Sequence, residues 1–363
     1  MNRWLRNLTA SLQQLSDASQ AAAAGQNQLL PILQKGKERV ERRWAAEAKN
    51  TAKLSDFELV RTLGSGTFGR VMLVRHMVAE QRPYYAMKIM AKRKVMRANH
   101  VRHAITERRI LSAIKFPFVV NYLHHFKDNA NVFLVMEYVP GGDMFTHLRK
   151  LRKFDEQLAR FYAAQVILAF EYLHFVGIVF RDLKPENIMI DKTGFLKITD
   201  FGFAKKIDDK RTDTMCGTPE YYAPEMVKNH SYSFSVDWWT LGVLMFEMTD
   251  GRPPFRSANV LKLFQLILEN SIEFPEFFSG SLKSVIQNLT KSERTKRLNS
   301  AKAVKAHRFF EQVDWMGLYK QKTTPPYVPN VYSESDTHNF EKLAEEKIEE
   351  FPDELYAKEF EDY

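Results

Sequence analysis

Apolar positions along this chain change period several times, and each change predicts an element. Residues 57–63 (FELVRTL) and 70–75 (RVMLVR) read as strands around a glycine-rich stretch, and 85–88 (YAMK) lies in a third strand-like run. Residues 101–114, VRHAITERRILSAI, follow a helical pattern, and LVMEYVPGGDMF (134–145) reads as a strand running into a hinge. FYAAQVILAFEYLH (161–174) is apolar on one helical face, whereas SVDWWTLGVLMFEM (235–248) is apolar nearly all round and predicts a buried helix. Asp237 inside that helix is an expensive charge unless backbone amides bind it. GKERVERRWAAEAKN (36–50) predicts a charged helix with Val40 and Trp44 on one face.

Residues 1–35 carry Ala21–Ala24, several Gln and Ser, and little that builds a core. Trp4, Leu5, Leu8, Leu12 and Leu15 share a helical spacing with Arg3 and Arg6. The stretch reads as a variable extension, with an organelle-targeting or membrane-surface helix as the alternative. Asn2 removes the glycine that N-myristoylation needs.

Size and charge add limits. The 363 residues exceed the usual single-core limit of about 250–300, which predicts two packed lobes plus extensions. No run of 18 apolar residues exists, so no membrane span is expected. The single cysteine, Cys216, cannot form an intramolecular disulfide and favours a reducing compartment: cytoplasm, with the nucleus as a second location. Net charge is +9, yet residues 333–363 carry −9 and the remainder +18. Such a tail is either solvated, packed on the basic body, or poised for a basic substrate. Basic residues are dispersed and follow no nucleic-acid reader motif, so no nucleic-acid partner is expected.

The densest chemistry lies at FRDLKPEN (180–187), with Asp200-Phe201-Gly202 beginning thirteen positions after Asn187. Asp182 is a carboxylate able to take a proton from a hydroxyl, and Lys184 is a cation for a phosphoryl oxygen. Asn187 and Asp200 offer oxygen donors of the kind Mg²⁺ prefers. This set resembles the catalytic loop and metal-binding segment of protein kinases. Gly64-Ser65-Gly66-Thr67-Phe68-Gly69 is a weak signal alone, but Val71 and Leu73 continue as a strand rather than a helix. That context favours a hairpin folded over phosphates, where backbone amides approach the anion. Lys88 follows Gly69 by nineteen residues, and Glu107 follows Lys88 by nineteen more.

The resemblance covers residues 36–363 and is closest to the AGC group of serine/threonine kinases, specifically catalytic subunits of cAMP-dependent protein kinases. It rests on GTFGRV, DFGFAKK, CGTPEYYAPE, VDWWTLGVL, RPPF and KEFEDY. It implies an α+β, bilobal kinase fold: a small β-rich lobe with one helix and a larger, mostly helical lobe. The implied divisions are an extension (1–35), a helix and linker (36–56), a kinase domain (57–310) and a tail (311–363). Within the domain they are the small lobe (57–136), hinge (137–142) and large lobe (143–310).

The resemblance also implies roles. ATP would lie under the glycine hairpin against Val71 and Ala86, with Lys88 and Glu107 as the phosphate-holding pair. Its adenine would meet the Glu137–Val139 backbone behind Met136, under Phe340. Asp182 becomes the catalytic base, Lys184 the charge neutraliser and Thr218 a partner of the catalytic loop; Asn187 and Asp200 would hold two Mg²⁺. Asp237 anchors the catalytic loop, and Glu225 with Arg297 braces the activation segment. Thr214 corresponds to an activating phosphosite, with Arg181, Lys205 and His103 as its basic partners. Asp143, Glu186 and Glu247 would receive arginines of a basic Ser/Thr protein substrate, and Glu220 a more distant one. Met215, Pro219 and Tyr222 would line an apolar pocket beside the acceptor. Phe360 and Tyr363 would dock on the small lobe.

Departures bear on partners. Asp213 replaces a tryptophan that helps dock a cAMP-binding regulatory subunit, and Arg252 and Arg256 replace aromatics of an inhibitor-peptide pocket. Phe351 stands in place of a tail phosphoserine, and Phe180 preserves an aromatic contact before Arg181. The alternatives are a catalytically weak relative acting as a binding or allosteric module, and an AGC kinase outside cAMP control.

Overall fold

The computed structural model describes residues 28–46, 52–66, 68–208 and 210–363. The small lobe is an antiparallel sheet ordered β1-β2-β3-β5-β4. Its strands are β1 (Phe57–Gly66), β2 (Gly69–His76), β3 (Tyr84–Ala91), β4 (Tyr122–Lys127) and β5 (Asn131–Glu137). Helix α1 covers residues 28–45. Two helices follow β3, where one was expected: the short α2 (Lys92–Arg97) and α3 (Val101–Ala113). Asn99 between them is left-handed at φ 57°. Six residues of α2 are too few to display a helical period, which hid this element.

The large lobe holds α4 (Met144–Leu151), α5 (Glu156–Phe175), α6 (Pro224–Val227), α7 (Ser235–Asp250), α8 (Val260–Glu269), α9 (Gly280–Leu289), α10 (Ala301–Lys305) and α11 (Trp315–Tyr319). Two small ribbons lie at the cleft: β6 (Ile178–Val179) with β9 (Lys205–Lys206), and β7 (Ile188–Ile190) with β8 (Leu196–Ile198). As its composition predicts, α7 is buried throughout, from Val236 to Thr249. Together with α5 it forms the centre of the large-lobe core.

Helix α1 corrects the division at residue 36. Leu29, Leu33 and Val40 are buried in the large-lobe core, and Trp44 packs half-buried at its edge. With Gly36 they follow spacings of four, three, four and four residues, one continuous helical stripe. Gly36 is the closest point, because a Cβ there would lie 2.7 Å from the Tyr172 ring. The described helix therefore includes eight residues assigned to the extension. The proposed targeting stretch, with Trp4 through Leu15, lies outside the described residues.

The acidic tail is packed rather than free. Lys92, itself fully buried, meets Glu354 at 3.2 Å, and Lys192 meets Glu334 at 2.7 Å. The Asn129 amide donates to the carbonyls of Phe351 and Pro352, and that of Asn131 to the carbonyl of Glu349. Phe360 and Tyr363 are buried with Met90, Val95, Ala104 and Val132, so the tail completes a small-lobe core.

Candidate active site

The catalytic loop leaves β6 and is held from below by Asp237, whose side chain is wholly buried. Its Oδ2 accepts from Phe180 N at 2.9 Å and from His174 Nε2 at 2.7 Å, and its Oδ1 accepts from Arg181 N at 2.8 Å. This is the amide capture that makes a charge inside α7 tolerable. Arg181 is left-handed at φ 74°, a conformation a bulky residue keeps only when its surroundings impose it. Its side chain supplies part of that constraint by donating to the Phe203 carbonyl at 2.7 Å and to the Tyr232 hydroxyl at 3.2 Å.

Four side chains converge above this platform. Asp182 Oδ2 accepts from Asn187 Nδ2 at 2.9 Å and pairs with Lys184 Nζ at 3.0 Å. Its Oδ1 accepts from Thr218 Oγ1 at 3.1 Å, and Lys184 also donates to that hydroxyl at 2.8 Å. The carboxylate is thus held by three neighbours within hydrogen-bond reach, as a positioned proton acceptor requires. Asn187 spends its amide nitrogen on Asp182, leaving its oxygen as the donor for a cation.

Across the cleft, Lys88 Nζ lies 2.7 and 2.9 Å from the Glu107 carboxylate oxygens and 3.0 Å from Asp200 Oδ1. Burial works against the Lys88 ammonium, but Asp200 and Glu107 overcome it and hold its pKa well above the usual lysine value. Lys88 in turn keeps Asp200 below the usual carboxylate range, despite burial. The trio joins β3, α3 and the segment after β8 through one cation. Among the described residues no three His, Cys, Asp or Glu side chains group as a metal cage. The Asp200 carboxylate and Asn187 amide oxygen form a sparse, hard donor pair, which fits Mg²⁺ completed by water and phosphate oxygens.

The glycine hairpin joins β1 and β2. A Cβ on Gly69 would stand 1.8 Å from the Ile89 carbonyl oxygen, so β2 and β3 approach there as only glycine permits. A Cβ on Gly64 or Gly66 would meet nothing within 4 Å, so neither position is packed against the rest of the fold on that side. Ser65 is exposed and Phe68 half-buried, while Thr67 lies outside the described residues. In the sheet Val71 pairs with Lys88 and Ala86 with Met136, which aligns the apolar wall with the lysine. At the hinge, the Glu137 side chain is committed to Asn121 and to Lys197, and Val139 is buried. The Phe340 ring stands 5.7 Å from that of Tyr138, bringing the tail over the hinge.

The activation segment departs from the expected pattern. Lys205 donates to Thr212 Oγ1 at 3.0 Å and reaches Thr214 only through the 3.4 Å contact between the two threonine hydroxyls. Tyr232 donates to the Thr214 carbonyl and bonds Arg181, linking segment and catalytic loop. His103 faces His100 at 3.0 Å. Burial, then His100, Arg181 and Lys205, pull the His103 pKa down. Tyr232 escapes a reading of the sequence because its partners Arg181 and Thr214 are distant along the chain. Thr212 and His100 lie two and three residues from Thr214 and His103, with no motif to mark them.

The acidic residues expected at the substrate are unequal. Glu247 is buried and accepts from the Tyr221 hydroxyl; burial pushes its pKa up, and Glu186 and Glu220 push it further. Asp143 caps α4, accepting from Thr146 N at 2.7 Å and Thr146 Oγ1 at 3.0 Å. Glu186 is exposed, but protein around its carboxyl, with Asp182 and Asp143, raises its pKa. Glu220 and Pro219 are half-buried. Met215 is 44 % exposed, and buried Tyr222 stacks on Phe264 at 6.2 Å.

On the small lobe, Tyr363 donates to the Phe133 carbonyl at 3.2 Å, under the Arg108 guanidinium. Lys127 donates to the Phe360 carbonyl, and Lys92 stands over the Phe360 ring. Arg93 lies 4.5 Å over Phe351, a cation–π contact at the tail position without a phosphorylatable hydroxyl. The brace is present as a buried pair, Arg297 with Glu225 at 2.7 Å. Asp213, Arg252 and Arg256 are exposed.

The chain matches the protein kinase domain family over residues 57–310. It is 44% identical over 304 residues to a cAMP-dependent protein kinase catalytic subunit of Dictyostelium discoideum, covering 83% of this chain and 46% of that protein. It is 45% identical over 296 residues to cAMP-dependent protein kinase catalytic subunit 3 of Drosophila melanogaster, covering 80% and 50%. Against cAMP-dependent protein kinase catalytic subunit PRKX of Homo sapiens it is 43% identical over 296 residues, covering 80% and 82%. The chain spans about half the length of the first two relatives.

Proposed function

This chain belongs to the protein kinase family, and from that premise we propose that it transfers the γ-phosphoryl group of ATP to serine or threonine in basic protein sequences. The observation that carries the reading is the assembled cleft. Asp182 is held by Lys184, Asn187 and Thr218 on one wall, and Lys88 by Glu107 and Asp200 on the other. A binding module has no need to keep both walls intact.

The acceptor hydroxyl gives its proton to Asp182 as its oxygen bonds to the γ-phosphorus, and ADP leaves on the opposite side. Lys184, already poised between Asp182 and Thr218, balances charge on the transferring group. Lys88 holds the nonreacting phosphates, and the backbone at Gly64 and Gly66 approaches them from above. Asn187 and Asp200 would hold Mg²⁺, as two ions, which would neutralise phosphate charge. Positioning and fixed charges account for most of the acceleration in such transfers. Lys184 beside the acceptor is the feature that favours serine and threonine.

The substrate we propose is Arg-Arg-x-Ser/Thr-hydrophobic, read by Glu186 and Glu247, with Asp143 joining if it exchanges its cap for an arginine. Charge-assisted contacts contribute about 1.5–3 kcal/mol each. Glu186→Gln is therefore expected to raise KM for a diarginine peptide about ten- to a hundred-fold. A peptide lacking the arginines should show little change. Initial rates on both peptides decide it, and equal sensitivity of the two would reject the assignment.

We further propose that phosphate on Thr214 orders the segment. A phosphate adds about −1.5 to −2 charge beside Arg181, Lys205 and His103, and the depressed His103 pKa would rise toward it. Thr214→Ala is expected to lower kcat about ten-fold, within the strength of one such charge network. Turnover equal to the phosphorylated enzyme would refute the switch.

A cAMP-binding regulatory subunit is the partner suggested by the relatives' names. Exposed Asp213, Arg252 and Arg256 argue for altered contacts with it. Capture by a regulatory subunit that cAMP releases would support this control, and failure of capture would leave a kinase under other control.

A further inference from the structure

Strand β1 is one edge of the small-lobe sheet, and it carries the glycine hairpin at its end. Nothing within 4 Å would touch a Cβ on Gly64 or Gly66, so side-chain packing does not set the position of these two residues. Its base is also irregular. Thr62 pairs with Met72, but the next pair is Gly64 with Val71, a register shift at the point where the hairpin begins. Behind the hairpin, a cavity of about 280 Å³ separates Ser65, Gly66 and Arg70 from tail residues Leu343 and Ile348. Packing between tail and hairpin is therefore incomplete.

Polar contacts to the tail begin at a carboxylate clip beside this gap. The Glu345 carboxylate accepts from the Thr62 backbone N at 2.6 Å through Oε1 and from the Thr62 hydroxyl at 2.8 Å through Oε2. It closes the edge of β1 where no strand can. Thr62 is 2 % exposed, so the clip grips a buried residue two positions before Gly64. Next to it, Arg61 donates to Thr337 Oγ1 at 2.9 Å and to the Glu341 carbonyl at 2.8 Å. The same tail segment is tied to the hinge, where Asn339 donates to the Pro140 carbonyl at 3.2 Å. Thr62, then Arg61 and Arg70, hold the Glu345 carboxyl below its usual range against its desolvation, as expected of a carboxylate kept charged by its contacts.

We propose that Glu345 is a positioning residue for the nucleotide, fixing the height of the glycine hairpin over the cleft through Thr62. The inference rests on the kinase reading above, since it assigns the hairpin to ATP. Glu345 touches no reacting atom, so its loss acts on nucleotide binding and leaves the chemical step alone.

The test is steady-state kinetics of the full chain with MgATP and a diarginine peptide, for wild type, Glu345→Ala and Thr62→Val, with MgADP affinity by calorimetry. Glu345→Ala is expected to raise KM for ATP and weaken MgADP about five- to ten-fold, a loss in the range of one charge-assisted contact. Peptide KM and kcat should stay within about two-fold, because the clip differs little between bound substrate and transition state. Thr62→Val keeps the backbone bond and should give a smaller rise, and the double variant should add nothing beyond Glu345→Ala. Should Glu345→Ala fail to fold, Thr62→Val alone decides. An unchanged KM for ATP in the folded variants overturns the positioning role, as does a parallel loss in kcat and both KM values. Wild type without ATP turnover overturns the kinase reading, and this role with it.

Discussion

Asp182→Ala is expected to lower kcat about 10²–10⁴-fold, the range a positioned acid or base contributes. MgATP affinity should remain within a few-fold. The carboxylate lies opposite the Lys88 cluster and takes no part in holding nucleotide phosphates, so its loss falls on the step in which the acceptor gives up its proton. Three neighbours orient it: Lys184 at 3.0 Å, Asn187 at 2.9 Å and Thr218 at 3.1 Å. Asp182→Asn keeps the shape but removes the basicity, so it should lose nearly as much. If asparagine retained most of the turnover, Asp182 would be orienting the hydroxyl rather than accepting its proton. The measurement is phosphotransfer to a diarginine peptide, with MgADP binding as the control for an intact cleft.

The largest stability effect should come from Arg297→Ala, which is expected to destabilise the large lobe by about 3–5 kcal/mol. The Arg297 guanidinium is fully buried and meets both oxygens of Glu225, at 2.7 and 2.9 Å. It also donates to the carbonyls of Lys291 and Ser235, and lies 5.1 Å over the Trp239 ring. Truncation leaves the Glu225 carboxylate buried with only the Ser235 hydroxyl, at 3.3 Å, as a hydrogen-bond partner. Much of the cost is that unpaired charge, so replacing both partners by methionine should recover a large part of it. Urea unfolding of the single and double variants tests this. A single variant as stable as wild type would mean that Glu225 finds another partner or a proton. Glu225 belongs to α6, at the end of the activation segment, so activity should fall before the lobe unfolds.

Much of the cleft was legible because its chemistry is written in short strings. Asp182, Lys184 and Asn187 fall within six residues, and their contacts with one another are nearly local. The glycine hairpin was legible for a different reason: strands on both sides of Gly64–Gly69 exclude the helix that a dinucleotide fold requires. The burial of α7 followed from an unbroken apolar surface, and Asp237 inside it could only be tolerable with backbone partners.

Other assignments needed the folded chain. Asp143 was expected at the substrate and is occupied as the cap of α4. Lys205 was expected at Thr214 and bonds Thr212 first. Helix α1 begins no later than residue 28, because Leu29 and Leu33 meet the large-lobe core. The apolar run of residues 29–33 was the signal for it, but it is too short to show which core it would join. The acidic tail had three possible fates, and Glu345 and Glu354 decide for packing on the small lobe.

By itself, then, the sequence determined the family, the hairpin and the buried central helix. Each depends on residue type and on spacings the backbone fixes over a few turns or one strand pair. Tertiary structure alone decided which carboxylates remain exposed, which threonine the activation-segment lysine holds, and how the tail grips β1. Thr62 and Glu345 lie 283 residues apart, and over such a separation pairing is set by which surfaces the whole fold brings together.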